Sequence, residues 1–220
     1  MDMKSIVKFS LLFLFFGKTY SQTTQYQTRD KVGDIVNKNS LFGDVIVSTN
    51  GFGIGIFFSK PISEIGSLNT EFSISNITDD NEITVYDDYG NVYTPNKINR
   101  FLSFPFLFGY EQRLFVDEIE ENFRPFVSGL LGPSMIFSSP AQDEFFSSLK
   151  NGKSYFGFSG EIKFGTYIGN FENEVIKVSL NYTFTKTGKK LESMKYENGE
   201  IKTRNKFDRF AIVFSFGKFF

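Results

Sequence analysis

Residues 210–220 read FAIVFSFGKFF, and their alternation decides the fold. Phe210, Ile212, Phe214 and Phe216 fall on one side of an extended chain, and Ala211, Val213, Ser215 and Gly217 on the other, because successive side chains of a β-strand point to opposite faces. One face is bulky and apolar; the other is small. Strict period-two alternation predicts a strand rather than a helix. A row of large apolar side chains on one side of that strand needs an apolar environment to face.

The same period recurs through the chain. In 176–184 the even positions are Ile176, Val178, Leu180, Tyr182 and Phe184, while Lys177, Ser179, Asn181 and Thr183 lie between them. Residues 155–168 place Phe156, Phe158, Ile162, Phe164 and Ile168 opposite Ser159, Glu161, Lys163 and Gly165. Leu102, Phe104, Phe106, Phe108 and Tyr110 oppose Ser103, Gly109, Glu111 and Arg113; Leu68, Phe72 and Ile74 oppose Asn69, Glu71, Ser73 and Ser75; Phe52, Ile54, Ile56 and Phe58 oppose Gly51, Gly53, Gly55 and Ser59. Residues 126–137 are a strand by position, with a bulge expected at Gly132 and Pro133. Pro105 removes one ladder donor from its own strand. A first strand at 42–48 completes eight, although its tight link to Gly51 also fits a bend in one long strand.

The connections alternate in length. Those at 60–66, 114–123 and 169–173 are short, and those at 78–97, 138–153 and 186–206 are long and polar; the first link alone is short on the long-loop side. Asn198-Gly199 reads as a two-residue hairpin turn between 191–196 and 201–207, and Asp88-Tyr89-Gly90-Asn91 as a turn between 83–86 and 92–94. Strands are therefore expected to run on past the rim as hairpins.

Composition narrows the class. Thirty Phe and ten Tyr in 220 residues, with no Trp, are more ring surface than a soluble core of one domain collects. No apolar run of eighteen residues lies beyond the N-terminus, so a helical span is excluded, and a closed barrel is the other structure that satisfies its backbone within a bilayer. The expected fold is all-β: a closed antiparallel up-and-down transmembrane β-barrel of eight strands over residues 41–220. Its polar rows are Gly, Ser, Thr and Asn, small enough for a narrow interior, whereas five or six rows of Phe would not fit there. A soluble lipid-binding barrel with its faces reversed is the alternative. Residues 1–21 carry Lys4 and Lys8, an apolar run at 11–16 too short for an anchor helix, and Thr19 and Ser21 before Gln22; they read as a secretory signal peptide. Residues 22–40 are a polar, patternless periplasmic segment.

The polar rows would bring Glu71, Glu111 and Glu161 together with Arg113, Lys163 and Lys177 in the lumen. Charges withdrawn from water must be paired to recover their desolvation cost, so a cross-lumen salt-bridge network is expected; the functional alternative is a narrow ion path. With no Cys, disulfides, thiol chemistry and Fe–S ligation are excluded. With no His, no side chain titrates unperturbed near neutral pH, and the chain reads as non-enzymatic. A net charge of −1 argues against nucleic acid. No cofactor is expected: the acidic runs Asp117, Glu118, Glu120, Glu121 and Asp79, Asp80, Asp87, Asp88 lack a calcium-loop spacing and read as solvated charge. The last loop is basic. Its Lys189, Lys190, Lys202, Arg204 and Lys206 are candidates for charge-assisted contact with anionic lipid.

The signal peptide, the eight alternating strands and the closing FAIVFSFGKFF together resemble the small outer-membrane β-barrel proteins of the OmpA-barrel and OmpX type. The resemblance covers nearly all of the mature chain, and Phe123-Arg124-Pro125-Phe126-Val127 leading to Gly132-Pro133 is similar to uncharacterised barrels of that kind. It implies the outer membrane of a Gram-negative bacterium, with outer-membrane lipid, lipopolysaccharide, the barrel assembly machinery and an envelope protein as partners. It also implies that Phe210, Ile212, Phe214, Phe216 and Phe220 form the assembly signal. The barrel enzymes of this kind use a His base, which this chain lacks. The expected role is a barrel with a plugged polar lumen, structural or interacting through its loops; the alternatives are an accessory subunit of a secretion or outer-membrane assembly machine, similar to type IX components, and a narrow channel.

Overall fold

The computed structural model describes residues 38–78, 82, 85–86, 88–90, 92–116, 119, 123–142, 145–169, 174–196 and 198–220. The signal peptide, most of the segment 22–40, the acidic turn Asp117, Glu118, Glu120 and Glu121, and Asp79, Asp80 and Asp87 lie outside the described residues. The strands are β1 (Ser40–Ser48), β2 (Gly51–Pro61), β3 (Gly66–Ile77), β4 (Val85–Tyr86), β5 (Val92–Tyr93), β6 (Asn99–Arg113), β7 (Phe123–Pro140), β8 (Lys153–Ile168), β9 (Glu174–Lys195) and β10 (Ile201–Phe219). A short helix, α1 (Phe145–Ser148), lies between β7 and β8. Among the described residues no helix is long and apolar enough to cross a membrane.

Eight strands close into one antiparallel barrel in the order β1-β10-β9-β8-β7-β6-β3-β2, while β4 and β5 form a separate two-stranded hairpin. Closure runs from Ser40↔Phe219 to Ser48↔Ala211, which joins the first strand to the last. The links at 62–65, 114–122 and 169–173 share one end with Lys38 and Phe220, the terminal end. The links at 49–50, 78–98, 141–152 and 196–200 share the other, the loop end.

The alternation read from the sequence sets which face points where. Phe52, Phe156, Phe158, Phe164, Leu180, Phe210 and Phe216 are all exposed on the outer surface, and Ser73, Ser75, Ser159, Ser179, Thr183 and Ser215 are buried within. This polarity is the reverse of a soluble barrel. It answers the question of faces: the reversed, lipocalin-like arrangement is not the one adopted.

β1 and β2 are the separate strands expected, joined by the two-residue turn Thr49-Asn50. Two local expectations are corrected. The β7–β8 ladder runs through Gly132 and Pro133, and the β6–β7 ladder keeps the same register on either side of them, so there is no bulge. The phase there looked blurred because the inner face of β7 is mixed, with buried Phe126, Leu130 and Ile136 alternating with Ser128, Ser134 and Ser138. Gly132 instead permits close approach, since a Cβ at that position would run into the Phe106 carbonyl. Finally, the β9–β10 turn has three residues. Tyr196 N–H donates to the Glu200 carbonyl at 2.8 Å, Gly199 N–H to the Tyr196 carbonyl at 2.9 Å, and Gly199 sits at φ +87°, the geometry of a turn closed by a left-handed glycine. Irregularity concentrates between that turn and the barrel, where the β10–β9 register shifts between Lys202 and Thr203 and again between Arg204 and Lys206.

Candidate functional site

Neighbouring inward positions on facing strands assemble a layer of charge at mid-barrel. Lys163 on β8, 2% exposed, is ion-paired with Glu71 on β3 across the lumen and with Glu161 two residues along its own strand at 3.0 Å. Glu161 accepts from Thr183 Oγ1 at 2.5 Å and Asn181 Nδ2 at 3.1 Å, and lies 3.7 Å from Arg209 Nη2. Arg209 donates through Nη1 to the Ser75 hydroxyl and through Nη2 to Thr183 Oγ1 at 3.2 Å. Each charge therefore meets an opposite charge, and Glu161 and Arg209 meet neutral donors or acceptors besides, which is the condition for recovering desolvation.

A second knot lies toward the terminal end. Lys177 Nζ donates to Glu111 Oε2 at 2.8 Å, Asn69 Nδ2 donates to the same oxygen at 3.2 Å, and the Tyr167 hydroxyl donates to Glu111 Oε1. The Lys177 ammonium also rests 3.8 Å from the Phe57 ring centroid and 4.2 Å from that of Phe126. Such contacts gain strength where water is excluded.

Apolar clusters bracket the mid-barrel layer, and the second knot is set into one of them. Toward the terminal end Phe42, Phe57, Phe126, Tyr167 and Val175 pack together; toward the loop end Ile77, Phe101, Ile136, Leu191 and Phe207 do. Above the second cluster the loop end holds a cavity of about 980 Å³, walled by Asn96, Lys97, Arg100, Gln142 and Lys195 among others. At the terminal end a recess of about 50 Å³ lies beside Tyr167, Arg124 and Glu111.

Five of the six residues read from the sequence as lumen charges, Glu71, Glu111, Glu161, Lys163 and Lys177, are brought together. Arg113 is the correction. It lies at the last position of β6, and its Nη1 donates to the Glu64 carbonyl at 3.4 Å at the terminal rim; among the described residues it forms no ion pair. Arg209 joins the layer in its stead. Asp44 was missed, being buried at the centre of β1. The alternation of Ser40, Phe42, Asp44 and Ile46 along that inner face gave no polar row to follow. Its Oδ1 and the Ser73 hydroxyl are both without a hydrogen-bond partner, on either side of Gly55.

Phe210, Ile212, Phe214, Phe216 and Phe220 are all exposed on the outer face of the β10 end of the chain. Of the basic residues, Lys189, Lys190 and Lys206 are exposed, while Lys202 and Arg204 are half-buried, with the Arg204 guanidinium 4.5 Å from the Phe207 ring centroid. Among the described residues no group of acids could hold a metal ion.

No family model matches the sequence, and no curated protein matches it. Solved structures do. The N-terminal β-barrel domain of Pseudomonas aeruginosa OprF aligns over 84% of this chain and 98% of its own, at 11% identity and a TM-score of 0.46. Neisserial surface protein A aligns over 83% and 95%, at 8% identity and a TM-score of 0.46. Ail, the attachment invasion locus protein of Yersinia pestis, aligns over 83% and 97%, at 11% identity and a TM-score of 0.42. No residue role passes from them to this chain. By strand number, strand order and the outward placement of its apolar rows, the chain has the fold of the small eight-stranded outer-membrane β-barrels.

Proposed function

We propose that this protein is an integral outer-membrane barrel, non-enzymatic and closed to ions, that works through its loop-end surface. The observation that carries the reading is the layering of the interior. An ion crossing it would pass one buried apolar cluster, a layer of charges already engaged with one another, and a second apolar cluster into which a further ion pair is set. An eight-stranded barrel has an interior just wide enough for side chains to fill, and here large rings and aliphatic chains fill both ends. The outward rows supply the apolar surface that a bilayer takes up. The chemistry of the loop end supports its role as the working face: the longest connections and the basic hairpin are gathered there.

Purified protein added to planar bilayers is expected to give no steady conductance, while unheated gel samples run as a compact species that heating converts. Stable, ion-selective openings that change on Lys177→Met or Glu111→Gln would sink the closed-barrel reading in favour of a channel. Recovery of the protein from the periplasm without detergent would sink the membrane location itself.

A further inference from the structure

Lys206 on β10 stands directly opposite Lys186 on β9. Both are exposed, and both share the outward parity of Phe184 and Phe210. Like charges directly opposed on one face of an antiparallel pair destabilise it. Neither lysine has an ion-pair partner among the described residues. The nearest acid along that face is Asp208, two residues from Lys206 and opposite Phe184.

The other end of the same two strands is built differently. There the outward Lys218 stands opposite Glu174, a complementary pair. Lys206 and Lys218 are twelve residues apart, roughly 40 Å of strand, or about 30 Å along the barrel axis at the usual tilt. That matches the thickness of a bilayer's hydrocarbon core, about 30 Å. The row between them is Asp208, then Phe210, Ile212, Phe214 and Phe216. The two lysine-bearing pairs thus mark the two edges of the apolar band on these strands, and of the two pairs the loop-end one carries uncompensated positive charge.

Apolar surface flanks the pair. Phe158 on β8 is in direct register with Lys186, Phe184 and Phe210 are exposed on the band side, and Phe156, one outward position nearer the loop end, is 75% exposed. Lys189 and Lys190, exposed where the β9–β10 register slips, lie just above. Two cations at one level with an aromatic wall below them suit an amphiphile whose anionic head sits on the lysines and whose chains lie along the rings.

We infer that Lys186 and Lys206 form a binding site for a phosphate monoester carried on a lipid, at the loop-end edge of the apolar band. The inference rests on the membrane reading above. Asp208 opposes the bound phosphate and tunes its affinity downward.

The test uses full-length mature barrel released from phosphatidylcholine nanodiscs doped with phosphatidic acid, with retained lipid counted by native mass spectrometry. Wild type is expected to retain phosphatidic acid over phosphatidylcholine. Lys186→Gln with Lys206→Gln weakens that retention about thirtyfold, the order expected of two lysines at a charged surface. Asp208→Asn strengthens it, and Lys218→Gln leaves it unchanged. Equal retention in the double variant, or an equal loss in Lys218→Gln, overturns the site. Competition by inorganic phosphate at the same affinity overturns the lipid as its source and assigns the pair to a free anion. A heat-convertible band from the same nanodiscs shows whether the barrel inserted, so failure of insertion, which strikes the membrane reading, is told apart from failure of binding, which strikes only the site.

Discussion

A lysine ammonium held at mid-barrel between two carboxylates is tolerable only because both are there. Lys163 touches Glu71 and Glu161, and Glu161 is shared with Arg209. Replacing Lys163 by Met leaves two buried carboxylates facing each other, and removing one partner of a buried pair costs about 3–5 kcal/mol. Lys163→Met is therefore expected to lower markedly the temperature at which the compact gel band converts. Lys163→Met with Glu71→Leu should regain most of the loss, because Glu161 keeps Arg209. If the double variant converts no later than the single one, the charges act singly and not as a layer. The sequence made Lys163, Glu161 and Glu71 legible because each interrupts a row of small polar residues. It hid Asp44, whose neighbours on the same face are Phe42 and Ile46, and it hid the inward Phe57 and Phe126. Side-chain volume argues that Phe belongs outside a narrow barrel, and the Phe126 ring escapes the rule where Gly165 on an adjoining inner position leaves room for it.

The β9–β10 hairpin owes its stiffness beyond the barrel to a segment that the sequence presents only as loop. Ile98 N–H donates to the Ser193 carbonyl at 3.0 Å, Lys195 N–H to the Asn96 carbonyl at 2.9 Å, and Asn99 Nδ2 to the Glu192 carbonyl at 2.8 Å. Residues 96–99 so pair with the edge of β9 that β8 has left uncovered, and Lys97 is held in addition by Glu82 at 2.5 Å. Lys195→Pro removes one of these donors without touching a bond to β10. Losing about 1 kcal/mol there should raise the rate of tryptic cleavage after Lys97 about fivefold, with the conversion temperature of the barrel unchanged. Equal cleavage rates would mean that the segment is held by other contacts. At this scale the alternating strands were readable because their two faces differ so sharply in size. β7 was readable only by position, and the pairing of 96–99 was not readable at all, since a backbone ladder between an irregular segment and a strand edge leaves no period in the side chains.

Across the whole molecule the interior behaves as barriers in series. Ile77, Phe101, Ile136, Leu191 and Phe207 close the loop end, and Phe42, Phe57, Phe126, Tyr167 and Val175 the terminal end. Current through a series path is set by its largest resistance, so opening one layer alone changes nothing measurable. Leu191→Ser and Phe57→Ser are each expected to stay silent in planar bilayers, provided each still gives a heat-convertible band. Combined, they remove one large side chain from each barrier and expose the charge layer to water on both sides. The mid-barrel layer holds three carboxylates, Asp44, Glu71 and Glu161, against two cations, Lys163 and Arg209. The excess of negative charge favours cations in a passage so narrow. The double variant should therefore pass small, cation-selective currents, which Asp44→Asn makes less selective. Conductance in either single variant would place the barrier in one layer only; silence in a correctly folded double variant would place it in the salt bridges themselves, which then hold the lumen shut without help from the rings.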